Sequence, residues 1–147
     1  MHPTLAIDYG LKRIGLAISD SNGIISTPLT TLRFTKNRKI LELITELNQL
    51  ILEYKVKSIL IGVPQEFSDK NHINTIRITD FSNTLKKRIN IPIIFWDESY
   101  STSSAKEMVI SHGSNFKSNK EKIDSIAASI FLQEYLNSIT KNDENNN

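Results

Sequence analysis

Apolar and polar residues follow two different rhythms along this chain, strand-like at first and helix-like afterwards. Leu5-Ala6-Ile7 is a short apolar run that ends at Asp8 and a turn, Tyr9-Gly10-Leu11-Lys12, which predicts a buried strand over Thr4 to Asp8. From Arg13 to Asp20, Ile14, Leu16 and Ile18 oppose Gly15, Ala17 and Ser19. That alternation is the two-residue period of a strand. Asn22-Gly23 is a hairpin-turn signal, so a third strand from Ile24 toward Leu32 should pair back on the second. An antiparallel meander of three strands is therefore expected at the start.

The rhythm then changes. Between about Thr35 and Tyr54, Ile40, Ile44, Leu47 and Ile51 recur at helical spacing. Val56 to Val63 is an apolar run stopped by Pro64 and reads as a buried strand. A second helix is predicted over Asn71 to Arg88, with Ile73, Ile76, Phe81 and Leu85 inward, and Ile91 to Trp96 as another buried strand. A third helix should begin at Ser101 or Thr102, both good N-caps, and run to His112 before Gly113. The fourth spans roughly Ile123 to Ile139. The order β-β-β-α-β-α-β-α-α predicts an α/β fold with one mixed five-stranded sheet, an antiparallel meander joined to parallel strands, and helices on its faces. Residues 1–140 form the expected domain, and Lys141 to Asn147, without apolar anchors, a frayed or disordered tail.

Composition narrows the classes. Apolar residues make up 39% and charged residues 23%, as in a globular protein and unlike a disordered one. The longest apolar stretches are too short to span a bilayer, and Met1-His2-Pro3-Thr4 lacks the start of a secretory signal, so no membrane association is expected. The lack of cysteine removes disulfides, thiolate nucleophiles and the usual zinc cages. A reducing compartment, the cytoplasm, is the expected home. Net charge is only +2, but basic residues bunch at Lys12-Arg13, at Arg33, Lys36, Arg38 and Lys39, at Lys86-Lys87-Arg88, and at Lys117, Lys120 and Lys122. Such clusters can neutralise phosphates, and equally they can be solvated helix ends and turns. The three histidines are scattered without metal-ligand spacing.

In an open α/β sheet, ligands gather at the carboxyl ends of the strands. Asp8 closes the first predicted strand, Asp97 and Glu98 close the last, and Asp124 opens the final helix. Each has a plain structural explanation: an Asx turn for Asp8, and favourable charge near a helix N-terminus for the others. Asp124, however, shares a helix face with Ala127, Ala128 and Phe131, which should pack on the sheet. Taken together, the carboxylates suit hydrolysis of a nucleic-acid backbone. Two divalent ions about 4 Å apart can activate water, neutralise the phosphate and stabilise the leaving oxygen, and carboxylate oxygens are the ligands Mg²⁺ prefers. Asp8 would bridge them, because the first strand is central in this topology.

The run Ala6-Ile7-Asp8-Tyr9-Gly10-Leu11-Lys12-Arg13-Ile14-Gly15-Leu16-Ala17-Ile18-Ser19-Asp20 resembles the opening motif of the YqgF/RuvX family, RNase H-fold relatives of the Holliday-junction resolvases. The resemblance continues through Ile61-Gly62-Val63-Pro64, then from Asp97-Glu98-Ser99 to Ala105, and ends with Ile123-Asp124-Ser125-Ile126-Ala127-Ala128 and Leu132 to Leu136. These blocks stand in the family's order and span nearly the whole chain. The resemblance implies an RNase H-like fold and catalytic carboxylates Asp8, Glu98 and Asp124, with Asp97 as a further metal ligand. It implies Mg²⁺ or Mn²⁺ as cofactor and a nuclease acting in 5′-end maturation of the 16S rRNA precursor. Arg13 matches a motif arginine that touches phosphate or braces the loop. Lys12, Lys117, Lys120 and Lys122 complete the expected nucleic-acid contacts, the substrate being structured RNA or a DNA junction and the protein a monomer or homodimer.

Two departures stand out. The family's acidic motif normally reads Asp-Glu-Arg, and Ser99 fills the third place here. The loop after Pro64 normally holds a glycine, and Gln65 to Lys70 has none. Loss of a phosphate-facing arginine weakens substrate positioning without removing a metal ligand. A non-catalytic RNA-binding assembly factor is therefore an alternative, as is a junction resolvase. An actin- or hexokinase-like ATPase needs two such domains around its nucleotide, more than 147 residues supply.

Overall fold

The sheet is built outward from its first strand. Thr4–Tyr9 (β1) pairs antiparallel with Arg13–Ser19 (β2), which pairs with Ser26–Arg33 (β3). On its other edge β1 runs parallel to Ser58–Val63 (β4), and β4 runs parallel to Ile93–Asp97 (β5). The order β3-β2-β1-β4-β5 leaves β1 central, as the alternation of the meander and the later βα units predicted. The computed structural model describes residues 1–10, 12–35, 39–63, 73–98 and 120–145, the side chains of 120–122 excepted. The predicted third helix and the loop after Pro64 fall outside the described residues.

Period-two alternation sends the strands' side chains to two different cores. Leu5, Ile7, Ile14, Leu16, Ile59 and Ile61 face helices Ile40–Glu53 (α1) and Ile73–Arg88 (α2), meeting Leu43, Ile44, Leu47, Ile51, Ile78, Phe81 and Leu85. Ala6, Ala17 and Leu60 face the other way, toward Ala128, Phe131, Leu132, Tyr135 and Leu136 of helix Lys120–Asn145 (α3). The residues facing α3 from β1 and β2 are small, so the helix sits close to the sheet. Gln133, fully buried, anchors it to the meander: its carboxamide oxygen accepts from Ser26 N–H at 3.0 Å and its nitrogen donates to Ile24 C=O at 2.8 Å.

Several expectations change. Ile73 and Ile76, predicted inward, are 67% and 48% exposed. At 3.6 residues per turn Ile76 lies about 160° around the helix from Ile78, so it cannot share a face with Phe81 and Leu85. Thr75, Ile78 and Ser82 complete that face instead. Ile40 stands in the first turn of α1 and is exposed, and Leu43 completes the buried stripe. The strand β5 was expected to be buried; it forms the sheet edge, and Phe95 is partly exposed. The last helix begins three residues earlier than predicted and continues past Ile139 to Asn145. The predicted tail is therefore helical through Asn145, although Lys141 to Asn145 are all exposed. A nucleated helix adds residues at little cost even where no side chain is buried.

Candidate active site

Parallel pairing brings the carboxyl ends of β1, β4 and β5 to one edge of the sheet, and β2, running the other way, begins there. Asp8, one residue from the end of β1, lies opposite Gly15 on β2 and Gly62 on β4. Alternation puts Asp8 in the same row as Ala6, on the α3 face. Ile94 and Trp96 share that face on β5, and Glu98, just past the end of the strand, reaches it as well, its Oε1 lying beside Gly62 as the Phe131 ring of α3 does. Asp124 arrives from above on α3. The elements thus deliver three of the four predicted carboxylates to one place.

The glycines make room for them. A Cβ at Gly62 would stand 2.6 Å from Glu98 Oε1 and 2.7 Å from the Phe131 ring. A Cβ at Gly15 would meet the backbone carbonyl of Asp124 and come within 2.8 Å of its Cβ. Real Cβ atoms do not approach so closely. Gly15 and Gly62 are therefore positioning residues, which a sequence pattern of charged groups does not reveal. The signal was legible: glycine inside a strand marks a close approach.

Asp8 and Glu98 are hydrogen-bonded to each other, Glu98 donating, and neither behaves as an ordinary acid. Burial raises the Glu98 carboxyl from its usual 4.5 to about 8, helped by the charge of Asp8, their hydrogen bond and the charge of Asp97. Asp8 is also raised, first by burial and then by the nearby Asp124 charge, while the bond from Glu98 acts against this. Such a pair retains a proton at neutral pH, because two adjacent carboxylates cannot easily both ionise in a poorly solvated site. Asp97 pairs with Val63 and follows Ile93 and Phe95 in the alternation, placing it on the opposite face. It reaches Glu98 through its charge.

Asp124 is held differently. Arg13 Nε stands 2.7 Å from Asp124 Oδ2, both side chains being partly exposed. That oxygen is itself sealed from solvent and has no aligned hydrogen bond, so the contact is an ion pair in which the guanidinium N–H points off the oxygen. Lys12 beside it is exposed. Lys117 and the side chains of Lys120 and Lys122 lie outside the described residues, as does Ser99.

Among the described residues no three acidic or histidine side chains are already arranged as a metal shell. The donor set nonetheless fits a hard divalent cation: three neighbouring carboxylates, a sealed Asp124 oxygen without an aligned donor, and two strand glycines that let Asp124 and Glu98 approach the sheet. The geometry differs from a ready shell for a physical reason. Two of the carboxylates share a proton and the third is paired with an arginine, so each is already partly neutralised.

The Glu98 shift predicts how stability depends on pH. The folded protein binds more protons than the unfolded chain between about pH 4.5 and about 8, so unfolding free energy should fall as pH rises through that window. Urea unfolding at points from pH 5 to 8 should show the decline, and Glu98→Gln should remove most of it. An unchanged slope in the variant would place the titration elsewhere.

Comparison with known proteins fits this geometry. The family profile described as "RuvX: Holliday junction resolvase" matches residues 2–138. The chain belongs to the RuvX family. Its relatives include proteins named "Putative pre-16S rRNA nuclease" from Clostridium acetobutylicum, 36% identical over 92% of this chain and 98% of its own, and from Mycoplasma mobile, 38% identical over 96% and 98%. Among solved structures, Thermus thermophilus RuvC in complex with a Holliday junction substrate covers 95% of this chain and 96% of its own at a TM-score of 0.61 and 9% identity. The fowlpox virus Holliday junction resolvase aligns over 93% and 99% at a TM-score of 0.54 and 19% identity. At such identities these two establish the fold, which is RNase H-like as the sequence motifs implied.

Proposed function

We propose that this RuvX-family protein is a divalent-metal-dependent nuclease that hydrolyses phosphodiester bonds in the 16S rRNA precursor and trims its 5′ end in the cytoplasm. The observation that carries this reading is the convergence of Asp8, Glu98 and Asp124 where the parallel strands end, with Gly15 and Gly62 letting Asp124 and Glu98 come close to the strands. The names of the relatives support the choice of RNA. Asp8, Glu98 and Asp124 would hold the cation, Mg²⁺ or Mn²⁺, with Asp8 in the central position between the other two. When bound, the cation supplies charge neutralisation at phosphorus and lowers the pKa of a water to make the nucleophile. Glu98 must give up its proton to serve as a ligand, and Asp97 adds negative potential from the other side of β5. Lys12, Arg13, Lys117, Lys120 and Lys122 would neutralise the phosphates on either side of the cleaved bond.

The test is cleavage by the purified protein of single-stranded RNA, duplex RNA, a 16S precursor 5′ fragment and a four-way DNA junction, with Mg²⁺ or Mn²⁺. Cleavage of the precursor that stops on chelation is expected. Cleavage of the junction alone would overturn the RNA assignment in favour of a resolvase. Binding of precursor without cleavage of any substrate would overturn the enzymatic reading and leave a ribosome-assembly factor.

A further inference from the structure

Resting on the reading of Asp124 as a metal ligand, we infer that Arg13 is a built-in counter-cation that competes with the divalent ion for Asp124 and, once displaced, is handed to the substrate phosphate. Three observations lead here. Arg13 opens β2 two residues before Gly15, and Gly15 is the point at which the Asp124 backbone touches the sheet. The guanidinium is therefore placed on this carboxylate by the same close approach that brings α3 to the site. Second, the contact is short but poorly directed: 2.7 Å from Nε to Oδ2 without an aligned N–H. It neutralises charge without the paired hydrogen bonds that make arginine–carboxylate contacts tenacious. Third, the other two carboxylates are already hydrogen-bonded to each other, so Asp124 is the one whose charge a cation must balance.

Competition of this kind has a consequence for order. A cation that takes Asp124 frees a guanidinium at the rim of the site, beside exposed Lys12, where an incoming phosphodiester can bind it. Metal and nucleic acid then favour each other's binding, and by linkage the effect is equal in both directions.

Mn²⁺ titration without nucleic acid, read by the spectroscopic signal of free Mn²⁺, tests the competition independently of cleavage. Arg13→Gln should bind Mn²⁺ about fivefold more tightly than wild type, the scale expected for removing a partly exposed ion pair. Arg13→Lys retains the charge and should stay close to wild type. In an Asp124→Asn background Arg13→Gln should change little, because the shared partner is gone. With an RNA that is bound but not cut, Mn²⁺ should strengthen binding more in wild type than in Arg13→Gln. An arginine that merely braces α3 would give the opposite result: Arg13→Gln would bind Mn²⁺ no better, or worse, and the inference would fall while the nuclease reading stood. Equal tightening in the Asp124→Asn background would also overturn it, as a general field effect. If Arg13→Gln does not fold, an Arg13→Lys protein that binds Mn²⁺ several-fold more tightly than wild type is the overturning result. Wild type that binds no Mn²⁺ would remove both readings together.

Discussion

Asp8→Asn is expected to leave the protein folded and to lower metal-dependent cleavage by two to three orders of magnitude. The size follows from losing one preorganised charged group at the reacting centre, for which rate losses on the order of 10²–10³ are usual. The folded state should not suffer. Asparagine has nearly the same volume, and its side-chain oxygen can still accept the hydrogen bond that Glu98 donates to Asp8. It also removes a charge that is costly where it stands, desolvated and close to Asp124. The melting temperature of the variant should therefore equal or exceed that of wild type. Cleavage kinetics and a thermal melt on one preparation check both halves. Residual cleavage within a few-fold of wild type would show that the reaction takes place elsewhere.

Gly15→Ala is expected to lower stability more than an alanine at any other described glycine. Its Cβ would collide with the backbone carbonyl of Asp124, which cannot rotate away as a side-chain tip can. The start of α3 would have to lift from β2, taking Asp124 with it. Overpacking of this sort costs about 3 kcal/mol when backbone must shift. In a chain of this size that is a fall of roughly 6–12 °C in melting temperature. Cleavage should collapse as well, since the carboxylate moves with the helix. Gly62→Ala is the useful contrast. There the new methyl would meet Glu98 Oε1 and the edge of the Phe131 ring, atoms at the ends of side chains that can adjust. Its stability loss should be smaller, with the damage falling on Glu98. Calorimetry of the two variants side by side tests the distinction, and equal losses would show that α3 yields more easily than its packing suggests.

Much of the molecule was legible from the amino acids alone. Period-two alternation in Arg13 to Ser19 and the Asn22-Gly23 turn specified the meander, because a strand with one apolar face has one register that buries it. The apolar run Ser58–Val63 could only be an interior strand, and β1 beside it could only be central. Position alone marked Asp8, the pair Asp97 and Glu98, and Asp124 as candidates, each with an ordinary structural explanation; the choice of Asp8, Glu98 and Asp124 came from the family resemblance. The buried face of α2 was not legible, for a simple reason. Isoleucine at positions 73 and 76 satisfied apolarity without satisfying the 100° step from residue to residue, and only packing against the sheet showed that Thr75 and Ser82 were inside.

What the tertiary structure decided is pairing between residues far apart in sequence. No local pattern states that Gly15 exists for the backbone of Asp124, more than a hundred residues later, or that Gly62 clears space for Glu98. Nor does the sequence separate Asp97 from Glu98. Asp97 ends β5 on the face away from α3, while Glu98, just past the strand, joins Asp8 on the α3 side, and only the packed fold shows which of the two does so. Protonation belongs to the same class of facts. Glu98 is an ordinary acid in the extended chain and titrates near 8 only because folding buries it against Asp8. Arg13 and Asp124 likewise become partners only when a helix from the end of the chain descends on a strand from its beginning. Local sequence determines which elements form, since their periodicity is a property of neighbours; the charge state and mutual contacts of the site arise from burial and proximity, which only the assembled fold supplies.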